Sequence, residues 1–187
     1  MGHKRQDWIV LETLSDIVLQ HVPGAIWEIG IGVSTQILAE LSKKHRAHMA
    51  TCDTNIKKCD WAKRTFPWIQ ADNRPSLEFL KSWNVVGTNF QPSVVLLDGN
   101  HRYPTVRAEV DLVLSQLKIG GLLFMHDTCK PTWDDVYLKT GTSDSYLVRR
   151  ELEQDPSLMS ITFPYTAADM GLTIVMKKDM SEPVFRR

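Results

Sequence analysis

Apolar residues in this chain form short continuous runs that are separated by segments with helical periodicity. The runs predict buried β-strands, which we assign to residues 25–29, 48–52, 68–71, 93–97 and 122–125. Between the last two runs, apolar residues three or four positions apart predict a helix, and Gly120-Gly121 ends that segment. Alternation of this kind indicates a parallel sheet with helices on both faces.

The two ends of the chain extend this pattern. Apolar residues at helical spacing over residues 8–22 predict an N-terminal helix rather than a signal peptide. A further helix is predicted over residues 146–153, followed by strands over 158–164 and 171–177 that a turn at 167–169 joins. Strands so closely linked are antiparallel in the simplest arrangement, so one of them should run against the rest of the sheet.

The 187 residues are expected to fold as a single domain, because the chain has no repeat and no linker rich in Pro, Gly or Ser. Residues 25–127 would form the cofactor-binding and catalytic core. The N-terminal helix over residues 1–22 would precede it, and the last helix and strand pair over residues 146–178 would follow. The segment 128–145 contains Pro131 and Gly141 and is expected to cover a bound substrate.

Net charge, apolar runs and cysteine content together exclude several classes of binding partner. The formal net charge is +0, so no global field attracts nucleic acid or an anionic membrane. No apolar run approaches the roughly 20 residues that a membrane span needs. The three cysteines include no close pair suited to a metal, and we expect a reduced, cytoplasmic protein.

A glycine-rich turn follows the first predicted strand. Gly30 and Gly32 stand between an apolar run and a helix-forming segment, where the chain must turn sharply and a ligand must approach the backbone. Asp53 ends the next apolar segment about twenty residues later, where an acid can accept hydrogen bonds from both ribose hydroxyls. These residues indicate a cofactor that contains a nucleoside, although Asp53 could also cap the helix that follows.

The turn departs from the dinucleotide fingerprint. The third glycine of that fingerprint would stand at Thr35, so Ser34 and Thr35 offer hydroxyl groups instead. Glu28 places a carboxylate two residues before Gly30, which suits a cationic ligand better than a pyrophosphate. An NAD-type oxidoreductase is therefore the less favoured alternative.

Polar residues cluster after the fourth and fifth predicted strands. Asp98 and His101 follow the fourth strand in the segment Asp-Gly-Asn-His-Arg-Tyr, and His126 and Asp127 follow the fifth. The carboxyl ends of neighbouring parallel strands face one crevice, so these four side chains can converge. A metal site and a pair of hydrogen-bonded turns are both compatible with the pattern.

The E-x-G-x-G motif, with an acid after the second strand, resembles the class I S-adenosylmethionine-dependent methyltransferases. The D-G-x-H-x-Y and H-D motifs are similar to an O-methyltransferase subgroup that includes small-molecule, sugar and cephalosporin-biosynthesis-type enzymes, with catechol-type relatives. The resemblance covers about residues 25–178 and implies an α/β fold with a Rossmann-like, doubly wound, seven-stranded mixed sheet. Its last two strands would form an antiparallel hairpin. The implied activity is methyl transfer from S-adenosylmethionine to a hydroxyl oxygen of a small molecule.

The resemblance also assigns residues. The cofactor would contact Glu28, Gly30, Gly32, Ser34, Thr35, Asp53, Asp72 and Asp98. Asp72 would lie beside the adenine, or would instead cap the next helix. A divalent cation would be held by Asp98 and Asp127, with His126 as a third ligand. A histidine there replaces an acid of the catechol type, so Mg²⁺, Mn²⁺, Fe²⁺ and Zn²⁺ are all open, as is the need for a metal.

Methyl transfer to oxygen also requires removal of the hydroxyl proton. His101 is the candidate base, because neutral imidazole is available near pH 7, and Asp98 is expected beside it. A cation on the acceptor oxygen would make an aliphatic hydroxyl easier to deprotonate. The short segment before the first strand leaves open a homo-oligomer whose second subunit completes the acceptor pocket. A non-catalytic protein that keeps the fold is the alternative from another class.

Overall fold

The computed structural model describes residues 6–83, 90–129, 144–163 and 171–179. Its elements are α1 (Gln6–His21), β1 (Ala25–Ile29), α2 (Val33–His45), β2 (Met49–Asp53), α3 (Ile56–Thr65), β3 (Gln70–Asn73), α4 (Ser76–Trp83), β4 (Pro92–Leu97), α5 (Tyr103–Gln116), β5 (Leu122–His126), α6 (Ser145–Leu152), β6 (Leu158–Phe163) and β7 (Leu172–Lys177). Each predicted strand is present within two residues of its predicted bounds. The predicted turn at 167–169, and positions 130–143 of the predicted substrate loop, lie outside the described residues.

The seven strands form one mixed sheet in the order β3-β2-β1-β4-β5-β7-β6. Strands β1 to β5 pair with one another in parallel. Strand β7 runs antiparallel to both β5 and β6. The predicted doubly wound α/β fold is confirmed, as is the prediction that one of the last two strands opposes the rest.

The central strands are buried on both faces because their residues are almost continuously apolar. All five residues of β1 are buried. Ile26 packs in the core under α1, α2 and α3, and Trp27 packs in the core under α4, α5 and α6. Burial of one such apolar side chain contributes about 1.5–3 kcal/mol, so the two layers hold the sheet from both sides. Within the described residues, no helix combines the length and the apolar content that a membrane crossing requires.

The strand order determines where a ligand can bind. The chain leaves β1 toward β2 and later returns to β4 on the other side of β1, so the connections after these two strands diverge. Such a divergence opens a crevice at the carboxyl edge of a sheet. At the bottom of this crevice the ends of β1 and β4 are joined, because the Asp98 N–H donates to the carbonyl oxygen of Ile29 at 2.9 Å.

Candidate active site

A cavity of about 660 Å³ lies at the carboxyl edge of the sheet. Its lining includes four of the predicted site residues, which are Gly30, Asp53, Asp98 and His101. Sites that bind small molecules and cofactors have volumes of about 300–1,000 Å³. The structure therefore brings predicted cofactor residues and the predicted base to one cavity of suitable size.

Gly30 forms the tight turn after β1. Its φ of 95° is in the left-handed region that favours glycine. A Cβ at this position would be 2.2 Å from the carbonyl oxygen of Asp98. Gly32 differs, because its φ of −162° is extended and a Cβ there would meet nothing within 4 Å. It opens onto an adjoining surface pocket that shares Lys58 with the cavity.

Asp53 presents a carboxylate that three hydrogen bonds hold in place. Its Oδ2 accepts from the Ile31 N–H and from Lys58 Nζ, both at 3.0 Å, and its Oδ1 accepts from the Asn55 N–H at 2.8 Å. Burial opposes ionisation, but the bonds from Asn55, Lys58 and Ile31 outweigh it and lower the pKa of Asp53. Oδ1 retains capacity to accept from a hydroxyl group. Asn55, rather than Asp53, caps α3.

The structure places the side chains of Glu28, Ser34 and Thr35 in a buried network of hydrogen bonds behind the cavity. Glu28 is fully buried. Its Oε1 accepts from the Ser34 hydroxyl at 2.7 Å, and its Oε2 accepts from the hydroxyls of Thr35 and Thr51 at 2.8 Å. Burial, opposed by these bonds, raises the pKa of Glu28 to about 7. The side chains satisfy one another inside the core and fasten α2 to β1 and β2, so the cavity lining does not include them.

Asp72 pairs with residues close to it in sequence. Its carboxylate lies 2.6 Å from the Arg74 guanidinium and accepts from Gln70 Nε2 at 3.0 Å. The chain after β3 instead lines the cavity with residues 74–77. Asp72 is not among the residues that line the cavity, and its contact with the adenine stays a prediction.

Asp98, His101 and Asp127 meet after the carboxyl ends of β4 and β5. One donor atom of each lies within 4.8 Å of the other two, and His101 Nε2 is 3.5 Å from Asp127 Oδ2. Asp127 has a φ of 56°, a left-handed conformation that aspartate adopts more readily than most residues. Strain of this kind is common at functional sites. Two carboxylates and an imidazole at this spacing can hold a divalent cation.

His126 lies behind this cluster rather than in it. Its Nδ1 is 3.0 Å from Asp127 Oδ1 and 3.3 Å from Asp98 Oδ1, while its Nε2 is 3.0 Å from Asp7 Oδ2. Burial alone would lower the pKa of His126, but Asp127 and Asp98 outweigh burial and raise that pKa to about 11. The geometry therefore groups His101, not the predicted His126, with the two carboxylates.

Sequence reasoning missed Asp7 and Trp8, which α1 brings to the back of His126. The Trp8 ring stacks on the imidazole with centroids 5.1 Å apart and an interplanar angle of 14°. One signal was present, because Asp7 stands four residues before Leu11 on the inward face of an apolar helix. Lys58 was missed because spacing alone does not distinguish a lysine at a cavity from one in solvent.

Comparison with known proteins adds to this geometry. The sequence pattern of a family described as methyltransferase domain matches residues 27–128. A comparison with curated proteins finds no significant match.

Several solved structures have a similar fold. The chain is similar to an O-methyltransferase from Bacillus cereus in complex with S-adenosylhomocysteine, with 15% identity and a TM-score of 0.74 over 95% of this chain and 83% of that one. It is similar to an S-adenosylhomocysteine-bound methyltransferase from Podospora anserina, with 17% identity and a TM-score of 0.70 over 95% and 80%. It is also similar to the methyltransferase MycE of mycinamycin biosynthesis, in complex with Mg and S-adenosylhomocysteine, with 15% identity and a TM-score of 0.60 over 98% and 59%.

Proposed function

This chain belongs to the methyltransferase domain family, and from that premise we propose that it transfers the methyl group of S-adenosylmethionine to a hydroxyl oxygen of a small molecule. The observation that carries the proposal is the meeting of Asp98, His101 and Asp127 beside the cavity that Gly30 and Asp53 line. A pocket for a nucleoside and groups that can act on a hydroxyl are thus adjacent.

The cavity has features that S-adenosylmethionine requires. Asp53 Oδ1 can accept a hydrogen bond from a ribose hydroxyl, and Gly30 allows close approach to the backbone. The Asp98 carboxylate on the cavity wall suits a sulfonium cation. The Bacillus cereus and Podospora anserina proteins hold S-adenosylhomocysteine on a similar fold, which supports this assignment. When bound, S-adenosylmethionine supplies an electrophilic methyl group.

The protein has to align the acceptor hydroxyl and accept its proton. Alignment in near-attack geometry can contribute about 7–11 kcal/mol. His101 lies on the cavity wall, and Asp127 is placed to orient its ring through Nε2, which leaves Nδ1 to accept the proton. A positioned base of this kind contributes about 10²–10⁴-fold in rate.

A divalent cation is a second way to activate the hydroxyl. Asp98 and Asp127 would supply carboxylate oxygens and His101 an imidazole nitrogen. Mg²⁺ prefers oxygen donors, so this donor set suits Mn²⁺, Fe²⁺ or Zn²⁺ better. When bound, the ion would favour ionisation of the acceptor hydroxyl. MycE, part of which has a similar fold, is a methyltransferase in complex with both Mg and S-adenosylhomocysteine. Neutral His101 has one nitrogen lone pair, which can bind a metal or accept a proton but not both at once. Whether the activity requires a metal therefore distinguishes the two mechanisms.

The acceptor is tested by incubation with S-adenosylmethionine and a panel of small molecules that present hydroxyl, amino or thiol groups. Mass spectrometry reads the gain of a methyl group. We expect methylated products from hydroxyl compounds alone. Products confined to amines or thiols would contradict the oxygen acceptor. A protein that binds S-adenosylhomocysteine but methylates nothing would favour the non-catalytic alternative.

The role of His101 is tested with His101→Ala, matched to His21→Ala at the exposed end of α1. We expect His101→Ala to lose about 10²–10⁴-fold in turnover while S-adenosylhomocysteine affinity is retained, and the control to keep both. If the activity of the parent protein survives EDTA, His101 acts as the base. If EDTA abolishes that activity and only Mn²⁺ restores it, His101 acts as a metal ligand. Unimpaired turnover in His101→Ala would remove both roles.

A further inference from the structure

Helix α1 contributes a buried charged residue next to the candidate active site. Asp7 exposes only 1% of its surface, although aspartate is almost never fully buried unless it is paired. It shares the inward face of α1 with Leu11 and Leu19, which pack in the core. Because desolvation of a carboxylate is costly, its partner has to compensate for that cost.

Among the described residues, one partner of this carboxylate is His126, whose ring α1 holds through two consecutive residues. Asp7 Oδ2 lies 3.0 Å from His126 Nε2. Trp8 stacks on the flat face of the same ring at 5.1 Å between centroids. Stacking fixes the plane of the imidazole, and the contact with Asp7 fixes its rotation within that plane. The ring therefore has a defined orientation.

The other ring nitrogen of His126, Nδ1, faces the candidate active site. His126 Nδ1 lies 3.0 Å from Asp127 Oδ1 and 3.3 Å from Asp98 Oδ1. In the proposed function, Asp98 faces the sulfonium and Asp127 orients His101, and both would hold the cation in the metal-assisted alternative. Neither approach has hydrogen-bond geometry among the described residues, so Nδ1 acts on the two carboxylates by electrostatic attraction at short distance. The orientation of the ring, set from α1, determines where that attraction is directed.

We propose that Asp7 is a positioning residue of the active site, which holds His126 so that its Nδ1 keeps Asp98 and Asp127 in place. The inference rests on the proposed function, because the fixed carboxylates matter for methyl transfer. Helix α1 precedes the segment 27–128 that the family pattern matches. The active site of this chain therefore extends to an N-terminal element outside that segment.

The test compares Asp7→Ala and Asp7→Asn with Asp16→Asn as the matched control. Asp16 is a partly exposed acid of the same helix that pairs with Lys44 and His45 of α2. The readouts are the ¹³C carboxyl resonances of Asp98 and Asp127, together with kcat and KM for S-adenosylmethionine.

We expect Asp7→Ala to shift both carboxyl resonances and to lower kcat at least about tenfold, as loss of an orienting partner typically does. The KM for S-adenosylmethionine should change little. Asp7→Asn keeps an oxygen acceptor for His126 and should recover part of kcat, and Asp16→Asn should match the parent protein.

Unchanged carboxyl resonances with unchanged kcat in folded Asp7→Ala would overturn the proposal. Should that variant fail to fold, the same two results in Asp7→Asn would overturn it. The resonances do not depend on turnover. A parent protein that methylates nothing would therefore refute the proposed function, while the resonances still decide whether Asp7 positions the two carboxylates.

Discussion

Gly30 is held by its neighbours in a conformation that only glycine adopts without strain. Gly30→Ala would combine a left-handed φ, which costs roughly 1–2 kcal/mol for a residue with a Cβ, with an overlap against the Asp98 carbonyl at 2.2 Å. We expect a fall of several degrees in the unfolding temperature and loss of S-adenosylhomocysteine binding. Thermal unfolding and calorimetric titration measure the two effects.

Gly32→Ala is the control for this prediction. Its backbone is extended and a Cβ would meet nothing within 4 Å, so the unfolding temperature should stay close to that of the parent. Equal stability losses in the two variants would contradict the specific requirement for glycine at Gly30.

Glu109 is a buried acid on α5 that the proposed mechanism does not use. It exposes 1% of its surface, and neither carboxyl oxygen makes a hydrogen bond of normal geometry to a described residue. Burial raises the pKa of Glu109 to about 7, although Ser76 acts in the opposite direction. The folded protein therefore favours the protonated form.

This raised pKa predicts a loss of stability as the pH rises. The unfolded chain releases the proton near a pKa of 4.5 and the folded chain near 7, so the folded state binds more protons in this window. The free energy of unfolding should fall there by up to about 3 kcal/mol. Glu109→Gln should remove the contribution of Glu109. The difference between the free energies of unfolding in urea at about pH 5 and about pH 8 should therefore be smaller than in the parent.

The comparison has to be made against the parent protein, because Glu28 titrates in the same window. Glu40→Gln on the exposed face of α2 is the control. Identical pH dependence in Glu109→Gln and in the parent would mean that Glu109 ionises normally in the folded state.

At the scale of elements, Glu28 joins three of them at one point. It lies on β1, its partner Thr51 lies on β2, and Ser34 and Thr35 form the first turn of α2. Glu28→Ala would leave these hydroxyls without their acceptor, and a buried polar group that loses its partner costs about 1–3 kcal/mol. We expect a loss of at least about 2 kcal/mol in urea unfolding and weaker S-adenosylhomocysteine binding.

Glu28→Gln tests the reason for that loss. Its amide oxygen can still accept hydrogen bonds, so it should retain more stability than Glu28→Ala. Parent-like stability in Glu28→Ala would show that the network does not fasten α2 to the sheet.

Most elements could be predicted from the sequence because the central strands are continuously apolar. The third strand differs most from its prediction, since its apolar run suggested residues 68–71 whereas the strand is Gln70–Asn73. Trp68 is 41% exposed and lies before the strand. Pairing with β2, in which Ala50 faces Gln70, sets the bounds of this polar edge strand. Hydrophobic pattern does not report such pairing.

The candidate site was predictable only in part, for a related reason. Asp53 ends β2, and Asp98, His101 and Asp127 follow the ends of β4 and β5. A parallel sheet gathers these strand ends at one edge. Glu28 stands just as near the turn in sequence, yet its side chain faces α2 within the core. The contact of Asp7 with His126 joins residues 119 positions apart. Spacing along a chain cannot indicate either orientation or a contact of that range.

At the scale of the whole molecule, the strand order places the cavity where the connections after β1 and β4 diverge. Many reactions use folds of this class, so the fold by itself does not define the chemistry. In this chain, we propose that the glycine turn and Asp53 form a nucleoside site in one half of the cavity, and that the residues after β4 and β5 form the reacting site in the other half. One ligand, S-adenosylmethionine, would connect the two halves.

Calorimetric titration of the protein with S-adenosylhomocysteine, compared with NAD, is the most direct test of this cofactor assignment. We predict saturable binding of S-adenosylhomocysteine to one site, none of NAD, and weaker binding of S-adenosylhomocysteine to Asp53→Ala because a ribose hydroxyl loses its acceptor. Binding of NAD without binding of S-adenosylhomocysteine, or no binding of either by the folded protein, would contradict the account.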